Sequence, residues 1–300
     1  MKSAKRLVID IGTNSVLALL VELSEDGMKV ISDRQKTTRL GEGLSKTGRL
    51  SEEAMLRTVE AIELYVTSTE FDSVFLVGTE ALRVASNSDK FIELVERKSG
   101  YRPVVVSGRQ EAELAFRGAL FDLEMLSDDL IIADVGGGST EIIRGKKDRI
   151  VDIVSIPLGA LKLRQSVPVD EVAAYKEHAT DIIGDRRFFD NLPSSNSTIG
   201  VGGTITSMAA VGLGLSEYDP GAVHGYLMNR AEIQSVATGF ESASDKKRRE
   251  LIPFDPQRAD LILPGAGIFL AIMGIIGVNG LIVSTGGLRF GAALSPEKVR

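Results

Sequence analysis

Two stretches of this chain, offset by 124 residues, follow one plan. Leu7 to Ser15 reads LVIDIGTNS, and Leu130 to Glu141 reads LIIADVGGGSTE. In each, an apolar run with the pattern of a buried strand ends in an Asp (Asp10, Asp134), followed at identical spacing by a Gly (Gly12, Gly136) and a Ser (Ser15, Ser139). A single strand-ending Asp-x-Gly is ordinary turn chemistry. Its duplication points to two phosphate-binding turns, because glycine lets backbone N–H groups close on an anion and serine adds a hydroxyl donor. A carboxylate beside such a cradle repels the anion unless a cation lies between them, so the pattern calls for a hard divalent ion, Mg²⁺ before others.

Composition narrows the chemistry further. The chain of 300 residues is 43% hydrophobic, enough for two cores of ordinary size. Its net charge of −6 gives no general attraction for nucleic acid, so any polyanion site must be local. The absence of Cys excludes a disulfide framework, a cysteine nucleophile and thiolate metal sites. Two histidines, His178 and His224, far apart in sequence, argue against a multi-histidine metal centre. The N-terminus has too short an apolar run before Asp10 for a signal peptide, which points to the cytoplasm. Leu261 to Val283 carries no charge and is long enough to cross a bilayer. Its glycines and Pro264 favour a buried helix, about 265–276, then a turn and a strand, Leu281 to Ser284, and no membrane association is expected.

Along the chain, strands are predicted at Arg6 to Ile11, Val16 to Leu23, Met28 to Asp33, Ser73 to Gly78 and Pro103 to Ser107. Helices are predicted from Ser51 to about Thr69, with Met55, Val59, Ile62 and Val66 on one face, and from Ser88 to Lys98. A second series repeats the order: a strand to Asp134, a hairpin (Glu141 to Ile143, Ile150 to Ser155), a helix from Val169 to about Asp190, and a strand, Ser197 to Val201. A β-β-β-α-β-α unit occurring twice describes an α/β, duplicated ribonuclease-H-like fold of the actin, Hsp70 and sugar-kinase superfamily, two-lobed with an interlobe phosphate cleft. The lobe boundary is placed between 117 and 118, with the terminal helix, about 290–300, expected to pack back on the first lobe.

Ser107-Gly108-Arg109-Gln110 fits a capping box, which puts Glu111 in the first turn of a helix running to about Phe121. A helix N-terminus favours the ionised carboxylate that a general base requires, and acidic residues also collect there for structural reasons alone. The turns Gly200 to Thr204 and Ser284 to Leu288 lead from strand to helix, either as structural turns or as places of approach for a ligand. The run Lys246 to Arg249 is expected to be a solvated helix face.

These residues resemble the exopolyphosphatase and guanosine-pentaphosphate phosphohydrolase family, Ppx/GppA, over nearly the whole chain. The resemblance runs through IDIGTNS (9–15), RLGEGL (39–44), GTEALRVASN (78–87), VSGRQEAEL (106–114), DVGGGSTE (134–141), PLGALKL (157–163), GVGGT (200–204), VHGY (223–226) and GLRFG (287–291). It implies release of terminal phosphate from polyphosphate or guanosine pentaphosphate with Mg²⁺, Mn²⁺ being the alternative metal. It places Glu111 as the residue that activates water and Arg83 as the group that neutralises the transferred phosphoryl. Asp134 and Glu141 become metal positions, with Asp10 assisting through water. Gly12, Thr13, Asn14, Ser15, Gly136, Gly137, Gly138 and Ser139 would hold phosphates, and Gly202, Gly203 and Thr204 form a third candidate turn. A homodimer is plausible by the same resemblance, and Lys162, Arg164 and Arg289 fall in its motifs as candidates for a polyanion path.

The pattern also departs from that family. Leu17 stands where a basic residue often follows the first turn, and Gln110 replaces a commoner Glu. The chain resembles the short, two-lobed form without a helical C-terminal extension. A kinase of the same superfamily and a non-catalytic alarmone sensor are the competing functions; the Glu111 motif and the ALR segment (81–83) oppose the first, and the retention of Glu111, Asp134 and Glu141 opposes the second.

Overall fold

The computed structural model describes all residues except 1–2, 26, 125, 147–148, 185–186, 190–196 and 296–300. The chain divides into two compact units, Met1–Gly118 with Leu288–Arg300, and Ala119–Gly287.

The first unit contains strands β1 (Ala4–Ile11), β2 (Ser15–Ser24), β3 (Gly27–Thr37), β4 (Ser73–Gly78) and β5 (Val104–Val105). Its helices are α1 (Leu44–Thr47), α2 (Glu52–Thr67), α3 (Glu80–Val84), α4 (Ser88–Ser99) and α5 (Gly108–Ala119). The sheet order is β3-β2-β1-β4-β5, with β1, β2 and β3 antiparallel and β4 parallel to β1. On α2, Ser51 accepts the Ala54 N–H as N-cap, and Met55, Val59 and Ile62 turn one face into a core shared with Leu7, Ile9 and Ile11.

In the second unit the strands are β6 (Asp129–Val135), β7 (Thr140–Lys146), β8 (Arg149–Ile156), β9 (Ser197–Val201), β10 (Leu227–Asn229) and β11 (Gly280–Ser284). The helices are α6 (Ala160–Ser166), α7 (Val172–Gly184), α8 (Gly203–Gly212), α9 (Pro220–Val223), α10 (Arg230–Glu241), α11 (Asp245–Leu251) and α12 (Ala259–Ile276). The sheet order, β8-β7-β6-β9-β11-β10, retraces that of the first unit and adds one edge strand. Register makes the duplication quantitative. Asp10 pairs with Leu17 and Val77, Asp134 pairs with Glu141 and Val201, and every counterpart is offset by the same 124 residues. Both units are ribonuclease-H-like, in the order shared by the actin, Hsp70 and sugar-kinase superfamily.

The charge-free segment is the buried helix α12, which begins at Ala259, earlier than the periodicity predicts. Its glycines are contact points: a Cβ on Gly265 would lie 2.7 Å from Thr204 Cβ, and one on Gly267 would lie 2.6 Å from Tyr175 Cβ. Small residues thus let α12 press against α7 and α8, and the length and apolarity that mimic a membrane span reflect burial on all sides.

Two expectations need correction. The helix predicted from Val169 to about Asp190 is shorter, α7 ending at Gly184, with a separate 3₁₀ turn at Arg187–Phe189 and residues 185–186 and 190 outside the described set. Nor is the Lys246 to Arg249 run wholly solvated. Arg248 points inward and forms an ion pair with Asp170, while its Nε donates to Phe240 O at 2.5 Å. Burial raises the Asp170 carboxyl, yet the Arg248 and Tyr175 hydrogen bonds and the nearby Arg164 charge hold it below its ordinary value. The Tyr175 hydroxyl that donates to Asp170 is pushed up to about 12, first by burial.

The final helix, α13 (Leu288–Leu294), belongs to the first unit, and residues 296–300 of the predicted terminal helix lie outside the described set. Gly291 meets the Leu114 carbonyl where no side chain could fit, and Arg6 donates to Ala293 O.

Candidate active site

Each of the two repeated turns is the same small object. Gly12 N–H donates to Ser15 O at 3.0 Å, and Gly136 N–H donates to Ser139 O at 3.0 Å. A Cβ on Gly12 would lie 3.1 Å from Ser15 O, and one on Gly136 would lie 3.2 Å from Ser139 O. Close approach across the turn, with neither φ in the left-handed region, is therefore why glycine stands at both positions.

The turn carbonyls are taken by the segment that follows each hairpin. Thr13 O accepts from Gly41 N–H at 2.8 Å, and Asn14 O accepts from Thr38 and Arg39 at 3.0 and 2.8 Å. In the second unit, Gly136 O accepts from Ala160 N–H at 2.9 Å, and Gly137 O from Leu161 and Lys162 at 2.9 and 3.1 Å. With the carbonyls engaged, the N–H groups of Thr13, Asn14, Gly137 and Gly138 have no acceptor among the described residues. Each unit thus presents a pair of consecutive free amides, the arrangement that binds anionic oxygens. Asn14, 6% exposed, donates from Nδ2 to Ser15 Oγ at 3.1 Å and leaves Oδ1 buried without a partner. Turned over, the same amide accepts from the Ser15 hydroxyl and offers two donors instead.

Two glycines outside the sequence-predicted set hold these turns. Gly41 abuts Thr13 Cγ2, and Gly159 abuts the backbone of Gly137 and Gly138. Their signal was in the sequence: a Leu-Gly pair, Leu40-Gly41 and Leu158-Gly159, follows the hairpin of each repeat.

In the first unit, the capping box at α5 forms as predicted. Gln110 N–H donates to Ser107 Oγ at 3.2 Å and Ser107 N–H donates to Gln110 Oε1 at 3.0 Å. Glu111 follows in the first turn, 12% exposed, in an ion pair with Arg83. Arg83 comes from α3 and also donates to Val106 O at 3.0 Å. Burial pushes the Glu111 carboxyl above its ordinary value; Arg83 opposes this and the Glu80 charge adds to it. Burial thus outweighs the Arg83 charge that favours ionisation. Glu80, 8% exposed at the start of α3, accepts a hydrogen bond from Thr13 Oγ1 at 3.3 Å and so links the first turn to this cluster. Sequence reasoning passed over Glu80 inside the GTEALR motif, because its contact with Thr13 crosses 67 residues of chain.

The second unit carries the carboxylate pair. Asp134 and Glu141 are direct partners on antiparallel β6 and β7, so their side chains share a face. Glu141 is 2% exposed and accepts from Ser155 Oγ at 2.7 Å. Among the described residues no group of three His, Asp or Glu side chains comes together. Two carboxylates beside free amides fit Mg²⁺, which keeps several waters and takes its other oxygens from substrate phosphate. Asp10 is half-buried at the end of β1, and its cross-strand partner is Leu17, so the first turn lacks the second carboxylate.

The remaining candidates have structural partners. Gly202 has φ 107 beside Val135, and the buried Arg258 guanidinium occupies the space a Gly203 side chain would fill. Thr204 is buried against Gly265. His224 Nδ1 accepts from Thr285 N–H at 3.1 Å. Arg289 pairs with Asp33 at 2.6 Å, and Arg164 lies 3.8 Å from Asp170.

The chain is similar to known proteins over nearly its whole length. The chain is 29% identical to exopolyphosphatase 2 of Mycobacterium tuberculosis, over 96% of this chain and 97% of that one. It is 24% identical to the guanosine-5'-triphosphate,3'-diphosphate pyrophosphatase of Aliivibrio fischeri, covering 94% of this chain and 57% of that longer one. The solved Aquifex aeolicus PPX-GPPA enzyme superposes with a TM-score of 0.79 at 30% identity, covering 98% of this chain and 99% of that one. The model of the Ppx/GppA phosphatase family matches residues 19–299, and the chain belongs to that family.

Proposed function

We propose that the chain is a Mg²⁺-dependent phosphohydrolase that releases terminal phosphate from inorganic polyphosphate, from guanosine pentaphosphate, or from both, with the cytoplasm as its compartment. The observation that carries this reading is the pair of free amides at each repeated turn, Thr13 with Asn14 and Gly137 with Gly138. Phosphate oxygens are the ligands such turns suit, and a polyphosphate tail supplies several in a row. The names of the relatives support the substrate class.

In this mechanism Glu111 Oε accepts a proton from the attacking water as the water oxygen bonds to the terminal phosphorus. The bridging P–O bond opposite breaks, leaving orthophosphate and a chain one phosphate shorter. Burial makes Glu111 more basic than a surface carboxylate, and its ion pair with Arg83 fixes its direction. The guanidinium brings positive charge to the same place, where it can offset charge developing on the phosphoryl oxygens. Asp134 and Glu141 would hold Mg²⁺, which when bound spreads the negative charge of the phosphates.

The test is phosphate release from long-chain polyphosphate and from guanosine pentaphosphate, with Mg²⁺ or chelator, for the wild type and Glu111→Gln. Release from at least one substrate is expected, lost with chelator and reduced by about 10² to 10⁴ in the variant, with substrate binding kept. Wild-type-like turnover in Glu111→Gln, or no release from either substrate by the folded wild type, would refute the reading.

A further inference from the structure

A cationic pocket lies in the unit Ala119–Gly287, at the end of its sheet away from the repeated turns. Its volume is about 570 Å³, and it is lined by Lys176 of α7, Leu270 of α12, Asn279 just before β11, and Asn229, Arg230, Ala231 and Gln234 at the start of α10. β11, β9 and β6 run parallel, and the turns after Val135 and Val201 follow their C-terminal ends. Asn229 instead pairs with Gly280, the first residue of β11. A strand of this length separates the two ends by about 15 Å.

The lining is rich in donors and has no carboxylate. Neither Lys176 nor Arg230 has an acidic partner among the described residues, in a chain whose net charge is −6. Arg230 is half-buried, and its Nε is buried without an acceptor, so an anionic ligand would supply the hydrogen bond that atom lacks. Three backbone N–H groups of the helix start are already satisfied. Asn229 N–H donates to Glu232 Oε2 at 2.8 Å, Glu232 N–H to Asn229 Oδ1 at 3.0 Å, and Arg230 N–H to Asn279 O at 2.8 Å. Glu232 is occupied further by the Tyr226 hydroxyl at 2.7 Å. What the pocket offers a ligand is therefore the two cationic side chains, the Ala231 N–H, and the amide NH₂ groups of Asn229, Asn279 and Gln234, the last of which also donates to Thr238 Oγ1 at 3.5 Å.

We propose that this pocket binds a small phosphomonoester, independently of the phosphate turns. Two cations call for a dianion, and the neutral donors call for more oxygens than one carboxylate has. The volume exceeds what a phosphate group needs, and Leu270 and Ala231 give an organic body apolar surface to rest on.

Calorimetric titration with glycerol 3-phosphate tests this on the wild type, Lys176→Met, Arg230→Met, Asn279→Asp and Ser139→Ala. Met keeps much of each aliphatic stem, and Asn279→Asp places a carboxylate in the pocket with almost no change of shape. The expected result is saturable binding by the wild type, weakened at least tenfold by each pocket substitution and retained in Ser139→Ala. Binding unchanged in the three pocket variants, binding lost only in Ser139→Ala, or no binding by the wild type at millimolar probe would overturn the proposal.

Discussion

Gly159→Ala is the substitution that best separates a turn held by its supporting segment from one that merely sits beside it. At Gly159 the backbone is extended, φ −133 and ψ 166, so alanine meets no dihedral penalty and the whole effect comes from contact. Its new Cβ would lie 2.5 Å from Gly137 O and closer still to Gly137 C and Gly138 N. Ordinary contact starts near 3.4 Å, so the second phosphate turn must move by about 1 Å. Overpacking of this kind costs about 1–3 kcal/mol, or about 2–4 °C of melting temperature per kcal/mol for a unit of this size. A 1 Å misplacement of binding groups costs on the order of 10² in rate. The counterpart, Gly41→Ala, meets Thr13 Cγ2, which is the end of a side chain and can rotate away. Pairing it with Thr13→Ser removes that methyl and is expected to restore function, whereas Gly159→Ala has no side chain to trim in compensation. Phosphate release and thermal unfolding measured side by side decide the matter. A Gly159→Ala protein with wild-type turnover and melting temperature would show that the turn does not depend on this packing.

Other expectations concern charge. Because burial, aided by Glu80, raises Glu111, the acid limb of kcat/KM against pH should lie above the ordinary carboxylate value; Glu80→Gln should move it down, and an unmoved limb would separate Glu80 from the base. The same raised value means that the folded chain binds more protons than the unfolded one between the ordinary and raised values. This group's contribution to stability is therefore present at lower pH and falls as pH rises through that window, a slope that Glu111→Gln should remove from urea unfolding measured at several pH values. Arg248→Ala strips one partner from the half-buried Asp170, which keeps Tyr175 and Arg164, and should cost about 1–2 kcal/mol in urea unfolding, against less than about 0.5 kcal/mol for the exposed neighbour Arg249→Ala. Glu141→Gln should raise the Mg²⁺ concentration for half-maximal phosphate release on the order of tenfold, and an unchanged requirement would remove Glu141 from the metal site.

What the sequence made legible was whatever depends on local order. The paired turns, the strand ends at Asp10 and Asp134, and the Ser107 to Gln110 capping box are defined within a few residues, so their spacing already states their geometry. Glu80 and Arg248 were not legible, because each is defined by a partner far along the chain, Thr13 and Asp170 respectively. A charge run such as Lys246 to Arg249 signals a solvated face on average, but helix α11 turns one of its residues inward and periodicity alone does not say which. Gly41 and Gly159 fall between these cases. Their Leu-Gly repeat is visible in the sequence, while the reason for it, a carbonyl or methyl occupying the space a Cβ would need, appears only in the packed structure.

The two repeats agree in backbone and differ in where the second carboxylate stands. In the unit of residues 119–287 it is Glu141, directly across the hairpin from Asp134, where two negative groups on one face favour a cation. In the first unit the corresponding position is Leu17, and the additional carboxylate comes from Glu80 at the start of α3, whose counterpart at the same 124-residue offset is the neutral Thr204. There it meets a turn hydroxyl and raises the basicity of Glu111. Duplication supplied each unit with an Asp and a pair of free amides. At these two positions the units place charge differently, two facing carboxylates in one and Glu80 acting on Glu111 in the other, which is the division the proposed mechanism uses, a metal held in one unit and a proton accepted in the other.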